Sequence, residues 1–313
     1  MVNFMENKQI AISVILITYG RKKELESCLD SILKQEYHDY ELIIVDNNED
    51  ELISNYLKEL ISRIKDKNEN IDKVRYYIMN KNLGVTGGRN FGIKKAKGDI
   101  LVFIDDDAFL ENKNAFQKIH TDFFKDSQIG ALSFKVVNYY SKKIERKEFP
   151  HKNKRLNPDK QFETSYFIGA GHAIKKEIFD KIGLYSEDFF YGMEELDLSF
   201  KIIDSGYKIY YYPEVIVWHK QSLEGRLTEK EKWQKILENR IKVSMRNLPW
   251  KYIIFSTLIW SAKVFMEVRG DFTVIFRSYK NVFREKKNIL KERKVINLET
   301  LSKLKKLCGR LYY

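Results

Sequence analysis

The chain has 313 residues, 56 lysines and arginines against 44 aspartates and glutamates for a net charge of +12, and 43% apolar with 14% aromatic residues. This composition excludes a disordered chain, and the length suits one large domain or two modest ones. Two cysteines, Cys28 and Cys308, exclude a disulfide scaffold or a four-cysteine zinc module; with a polar opening (MVNFMENKQ) that lacks the apolar core of a signal peptide, they predict a cytoplasmic protein.

Residues 10–17 read IAISVILI, a nearly continuous β-branched apolar run of the kind found in strands buried on both faces. Leu25, Cys28, Leu29, Ile32 and Leu33 then fall on one helical stripe. The alternation repeats: a strand over 40–45, a helix over 51–64, a strand over 74–79, a short helix over 87–97 and a strand over 100–104. An α/β fold with a mostly parallel sheet flanked by helices follows. Ligands in such sheets lie beyond the carboxyl ends of the strands. The residues at those ends are Thr18 and Tyr19, Asp46 to Asn48, the segment 80–89, and Asp105 to Asp107, and these four groups should converge.

Beyond Asp107 the spacing predicts a helix over 114–124, a strand over 129–137 and a mobile charged loop over 139–159, which contains Pro150 and Pro158. A second organised block runs from Phe162, with a helix over 194–205 stopped by Gly206 and a strand over 208–218. Residues 1–245 read as one catalytic unit, with halves at about 10–110 and 111–225, and 246–313 as a helical tail. That tail holds 16 basic and 5 acidic residues, so nearly all of the excess charge lies there. Its apolar run YIIFSTLIWSA is too short to span a bilayer, which takes about 20 residues. A basic, aromatic segment can instead lie on an anionic membrane, pack as a helical hairpin on the catalytic unit, or pair subunits into an oligomer. The first option would place the protein peripherally on the inner face of the cell membrane. No nucleic-acid-binding motif accompanies the charge, and nucleic acid is not an expected partner.

Three consecutive aspartates after an apolar strand must face solvent or a cation, and hard Mg²⁺ or Mn²⁺ takes such oxygens together with substrate phosphates. Asp105 and Asp107 point to one side if the strand persists, and Asp106 to the other. In the segment 82–90 (NLGVTGGRN), glycines such as Gly88 permit close backbone approach to a ligand, and the planar fork of Arg89 suits phosphate. Glu194 and Glu195 open a helix, and one of them facing a cleft could act as a general base. Asp197 and Lys201, at i and i+4, read as a surface pair. His219, at a strand end, could add an imidazole nitrogen to a metal.

The segments VILITYGR, YELIIVDNN, NLGVTGGRNFGIKKAKGDILVFIDDDAFL and GMEELDLSFKIIDSGYKIYYYPEVIVWH, in that order, resemble glycosyltransferase family 2, the inverting enzymes of the GT-A fold. They are most similar to the branch of rhamnosyltransferases and galactofuranosyltransferases of surface polysaccharides. The resemblance implies that Thr18 and Tyr19 line the nucleotide pocket with Asn48, that Asp46 recognises the base, and that Gly88, Arg89 and Asp106 border the ribose and diphosphate. It implies Asp105 and Asp107 as an Asp-x-Asp metal motif completed by His219. It also implies Glu195, where the family usually has Asp, as the base that activates the acceptor, with Glu194 as the other candidate. The implied donor is a UDP- or dTDP-sugar ahead of a GDP-sugar, and the implied acceptor a saccharide or polyisoprenoid-linked glycan. A degenerate binding protein of the same fold and a sugar nucleotidyltransferase are the competing expectations, the latter opposed by the single glycine in the turn after the first strand.

Overall fold

The computed structural model describes residues 10–65, 73–79, 81–222, 224 and 227–313; the polar opening and Asn80 lie outside the described residues. The chain begins with three strand–helix units. They are β1 (Ile12–Thr18) and α1 (Lys23–Leu33), β2 (Tyr40–Asp46) and α2 (Glu51–Lys65), and β3 (Val74–Ile78) and α3 (Gly84–Lys95). There follow β4 (Ile100–Asp105), β5 (Ala108–Leu110), α4 (Ala115–Lys125), β6 (Ile129–Asn138), β7 (Phe162–Thr164), β8 (Gly171–Lys175), α5 (Lys176–Ile182), α6 (Glu194–Asp204) and β9 (Lys208–His219). Four helices complete the described chain: α7 (Glu229–Asn247), α8 (Trp250–Glu267), α9 (Phe272–Lys291) and α10 (Leu298–Lys306).

The nine strands form one sheet in the order β3-β2-β1-β4-β8-β6-β9-β5, with β7 also on β9. Its first half, β3 to β4, is parallel, as expected. The second half is mixed, while six of the nine strands, β1 to β4 with β6 and β9, share one direction. There β8 runs antiparallel to both β4 and β6, β5 and β7 run antiparallel to β9, and only β6 and β9 pair in parallel. Strands of three to five residues joined without a crossover helix need not run parallel, and they are too short to show a period.

Alternate residues of β1 feed two cores. Ile12, Val14 and Leu16 pack with the stripe of α1, while Ile15 packs with α3 and α5 on the other face. Helix α3 begins three residues before the predicted start, at Gly84, whose φ of +69° a side chain would resist. Its glycines let helix and sheet touch. A Cβ on Gly92 would lie 2.5 Å from Ile15 Cγ2, and one on Gly88 3.0 Å from Ile17 Cγ2. Gly88 therefore faces the sheet, and the close approach read from the sequence is to β1.

The segment expected to be a mobile loop is held by specific contacts. A short 3₁₀ turn, Arg146–Glu148, buries Glu148, the Tyr166 hydroxyl donates to the Phe149 carbonyl at 3.2 Å, and the Thr164 hydroxyl donates to the Pro150 carbonyl. Asp197 is likewise no surface residue. It is buried, ion-paired to Lys201 at 2.6 Å, and accepts from Asn247 Nδ2 at 2.6 Å.

Helix α7 runs through position 245, so the basic segment continues a helix that is already docked. Leu237, Ile241 and Met245 of α7 share a core with Ile253, Trp260 and Val264 of α8 and Val274, Val282 and Ile289 of α9. The run YIIFSTLIWSA lies within α8, and no helix among the described residues is long and apolar enough to cross a membrane.

In a solvent-exposed helix, Gly→Ala raises stability by about 0.5–1 kcal/mol. Gly92→Ala is expected to do the opposite, because the added methyl meets a buried β-branched side chain. A loss of about 1–3 kcal/mol, read from the denaturant midpoint, is the expected outcome.

Candidate active site

Strand order reverses between β1 and β4, since β2 and β3 extend to one side of β1 and β4 lies on the other. The crevice at the carboxyl ends of these two strands is the natural ligand position in such a sheet. A cavity of about 550 Å³ opens there, with Tyr19, Arg21, Arg89, the three aspartates and His219 in its walls. Phe190 and Tyr191 border it from the turn before α6, and Leu227, Thr228 and Glu231 from the start of α7.

Asp105, Asp107 and His219 each bring one ligand atom to within 4.8 Å of the others. Two carboxylates and an imidazole are a donor set suited to Mn²⁺ or Mg²⁺, so the residues present fit the expected ion. His219 Nε2 lies 3.2 Å from Asp107, and its Nδ1 lies 2.5 Å from Glu148. Burial opposes its charge, but hydrogen bonds to Asp107 and Glu148 outweigh that and raise its pKa to about 10. Glu148 thus orients the imidazole from behind, as outer carboxylates do for metal-binding histidines. Asp107 also accepts from the Ser222 N–H at 2.8 Å.

Asp106 lies in the turn that follows the end of β4 at Asp105, so the strand does not persist and its alternation does not set the side this carboxylate takes. It pairs with Arg21 and accepts from the Tyr19 N–H at 3.3 Å. Burial raises its pKa to about 6 against the opposing pull of Arg21. Arg21 also reaches Asp107 at 3.5 Å and donates to the Glu224 carbonyl at 3.1 Å, tying the first turn to the segment after β9.

Arg89 is buried, and its planar group faces carboxylates, not open space. Nη2 lies 3.6 Å from Asp105, and Nη1 lies 3.4 Å from Glu194 and 3.6 Å from Glu195. The Gly169 carbonyl accepts from Nη2 at 3.3 Å, and the guanidinium stands 5.6 Å from the centre of the Tyr185 ring. A buried guanidinium requires such partners, and this differs from the phosphate-facing fork expected of it. Glu194 is buried with Oε2 unpartnered, and burial and then the charge of Glu195 hold its carboxyl well above the usual range. The Glu195 side chain is 22% exposed, and a Cβ on Gly169 would lie 2.1 Å from its Oε1. Gly192 and Met193, both left-handed with φ of +80° and +71°, swing the chain so that these acids enter the first turn of α6.

Tyr19 lines the cavity as expected, but the acids and amides at the end of β2 divide differently. Asp46 is buried, with one oxygen accepting from Asn48 N at 2.9 Å and Nδ2 at 2.6 Å, and the other from Ser54 at 2.8 Å and from Tyr76. Asn48 in turn accepts from the Gly20 N–H at 2.7 Å. Asp46 and Asn48 therefore brace the turn after β1, and Asn47 is the member of the group that lines the cavity. Thr18 is buried behind it. Arg21, Glu148 and Gly169 were missed by sequence reasoning, and Asn47 was included only within its strand-end group; of the three, only Arg21, a cation beside the first strand end, carried a local signal.

Replacing Arg89 with Met should leave Glu194 and Asp105 without their shared cation. A destabilisation of about 3–5 kcal/mol in chemical unfolding is expected, as for other broken buried pairs.

The family model described as Glycosyl transferase family 2 matches residues 13–183. An uncharacterized protein of Haemophilus influenzae is 37% identical over 173 residues, which are 55% of this chain and 91% of that protein. The O-antigen chain rhamnosyltransferase RfbN of Salmonella typhimurium is 22% identical over 241 residues, 74% of this chain and 71% of its own. Among solved structures, GalNAc-T7 with UDP, GalNAc and Mn²⁺ matches with a TM-score of 0.61 at 18% identity, over 88% of this chain and 55% of that one. The family match runs from β1 through α5 and takes in the aspartate run and the Arg89 helix: the chain belongs to glycosyltransferase family 2 and has the GT-A fold.

Proposed function

We propose that the protein transfers a sugar, with inversion, from a nucleoside-diphosphate sugar to an acceptor hydroxyl. The observation that carries this reading is the Arg89 guanidinium with Asp105 and Glu195 each 3.6 Å away, one carboxylate from the metal-type cluster and one from the acid pair. Leaving-group chemistry and acceptor activation are thereby gathered around one side chain.

In this reading Asp105, Asp107 and His219 hold Mn²⁺ or Mg²⁺, which when bound offsets the charge developing on the departing diphosphate. Tyr19, Asn47 and Asn82, in the same cavity wall, border the nucleotide. Glu195 accepts the proton of the acceptor hydroxyl as its oxygen bonds to the anomeric carbon from the face opposite the diphosphate. The old carbon–oxygen bond breaks, and its electron pair leaves with the nucleoside diphosphate. A single displacement inverts the anomeric centre without a covalent intermediate. Exposure supports Glu195 over Glu194, because Glu194 is buried and its carboxyl favours the protonated form. The acceptor is a glycan hydroxyl, in line with the O-antigen enzyme among the relatives.

The first test is turnover of UDP-, dTDP- and GDP-sugars with and without chelator, with NMR assignment of the product anomer. Loss of turnover in EDTA, recovery with Mn²⁺ and an inverted product are expected; metal-independent turnover or retention would overturn the reading. Glu195→Gln should lower kcat by about 10²–10⁴-fold while calorimetric binding of donor and Mn²⁺ persists. Glu148→Gln should weaken Mn²⁺ binding about 10–100-fold, read by electron paramagnetic resonance without any substrate.

A further inference from the structure

Helix α8 is apolar on both sides. Tyr252, Ser256, Trp260 and Val264 turn into the molecule, while Trp250, Ile254, Phe255 and Leu258 are exposed at 55–61%. Such a helix is at home in a membrane or a protein interior, yet this one is neither long nor apolar enough to span. Helix α9 continues the outward face with Phe272, Phe276 and Phe283, exposed at 72%, 69% and 73%. Phe265 of α8 packs on Phe272 with ring centres 4.5 Å apart, so the two helices meet at this face.

The charges are sorted. The acids Asp271, Glu285 and Glu292 pair inward with Lys230, Lys242 and Arg246 of α7 at 2.8, 2.5 and 2.9 Å. Lys251, Arg277, Lys280, Arg284 and Lys287 are exposed alongside the aromatic residues. Internal pairing thus consumes much of the negative charge of these helices and leaves the outward side basic.

We propose that the outward face of α8 and α9 docks on an anionic lipid bilayer, with the aromatic side chains in the headgroup layer and the basic residues on lipid phosphates. Exposed apolar bulk flanked by cations is the chemistry such a surface recognises. The same sorting disfavours a second copy as the occupant, since two identical basic faces repel. The proposal does not depend on any transfer reaction.

The experiment floats the full chain with vesicles of phosphatidylcholine alone or mixed with phosphatidylglycerol, at low and high salt. Co-flotation with the mixed vesicles at low salt, and its loss at high salt, is expected. Phe276→Ser with Phe283→Ser, and separately Arg277→Glu with Lys280→Glu and Arg284→Glu, should each reduce the bound fraction at least about tenfold. Every substituted side chain is exposed, so the melting temperature should hold, and the two sets fail independently if one harms folding. Free protein with both vesicle types, or variants that bind as well as the parent, would overturn the proposal. Concentration-dependent self-association in sedimentation velocity, abolished by the serine pair without vesicle binding, would overturn it in favour of a second copy.

Discussion

A single buried cation organises the centre of this protein. Arg89 lies on a helix that glycines hold against β1, and its guanidinium meets carboxylates from β4 and from α6. Moving such a group out of water costs several kcal/mol, which only a complete set of partners offsets. The helix contact, the backbone carbonyl of Gly169 and the left-handed turn before α6 all serve that one condition. The sheet changes its pairing at the same spot, since β8, inserted between β4 and β6, runs antiparallel to both of them.

The second constraint is the hold of α7 on the turn that leads into α6. Asn239 Nδ2 donates to the carbonyls of Tyr191 and Gly192 at 2.9 and 2.8 Å, and Lys242 and Arg246 both pair with Asp188 at 3.1 and 3.0 Å. Asn247 reaches Asp197 one turn into α6. Three residues of one helix therefore fix a short loop whose backbone passes through two left-handed residues and would otherwise be costly to maintain, and a fourth holds the helix that follows.

Much of this was readable from the sequence because long apolar runs carry their own period. Strands β1, β2 and β4 and the polar residues that end them stand out, and Asp105, Asp107 and His219 meet as their positions suggest. What escaped depends on pairing across the chain. Arg21 and Asp106 are 85 residues apart, and Glu148 and His219 are 71 apart, the former in a stretch with no period at all. Glycine carries no signal for whether its missing side chain makes room for a ligand or for a strand, and Gly88 makes room for β1. Asp197 looked like half of a surface pair because its second partner, Asn247, lies 50 residues further on. Asp46 shows the same limit from the other direction: an acid at a strand end was legible, but not the four donors that turn it inward.

Helix α7 also changes what the C-terminal region is. Its 19 residues span about 28 Å, with the first turn at the cavity rim and the outer helices alongside from Lys230, paired with Asp271, to Arg246, paired with Glu292. The middle of that rod packs on the outer helices and also holds the turn that leads to the acid pair, so one helix is shared by both. Lys242 and Arg246 each pair with an acid at the outer helices, Glu285 and Glu292, and with Asp188 of the turn before α6, so single side chains tie the region beyond position 245 to the segment that carries the acid pair.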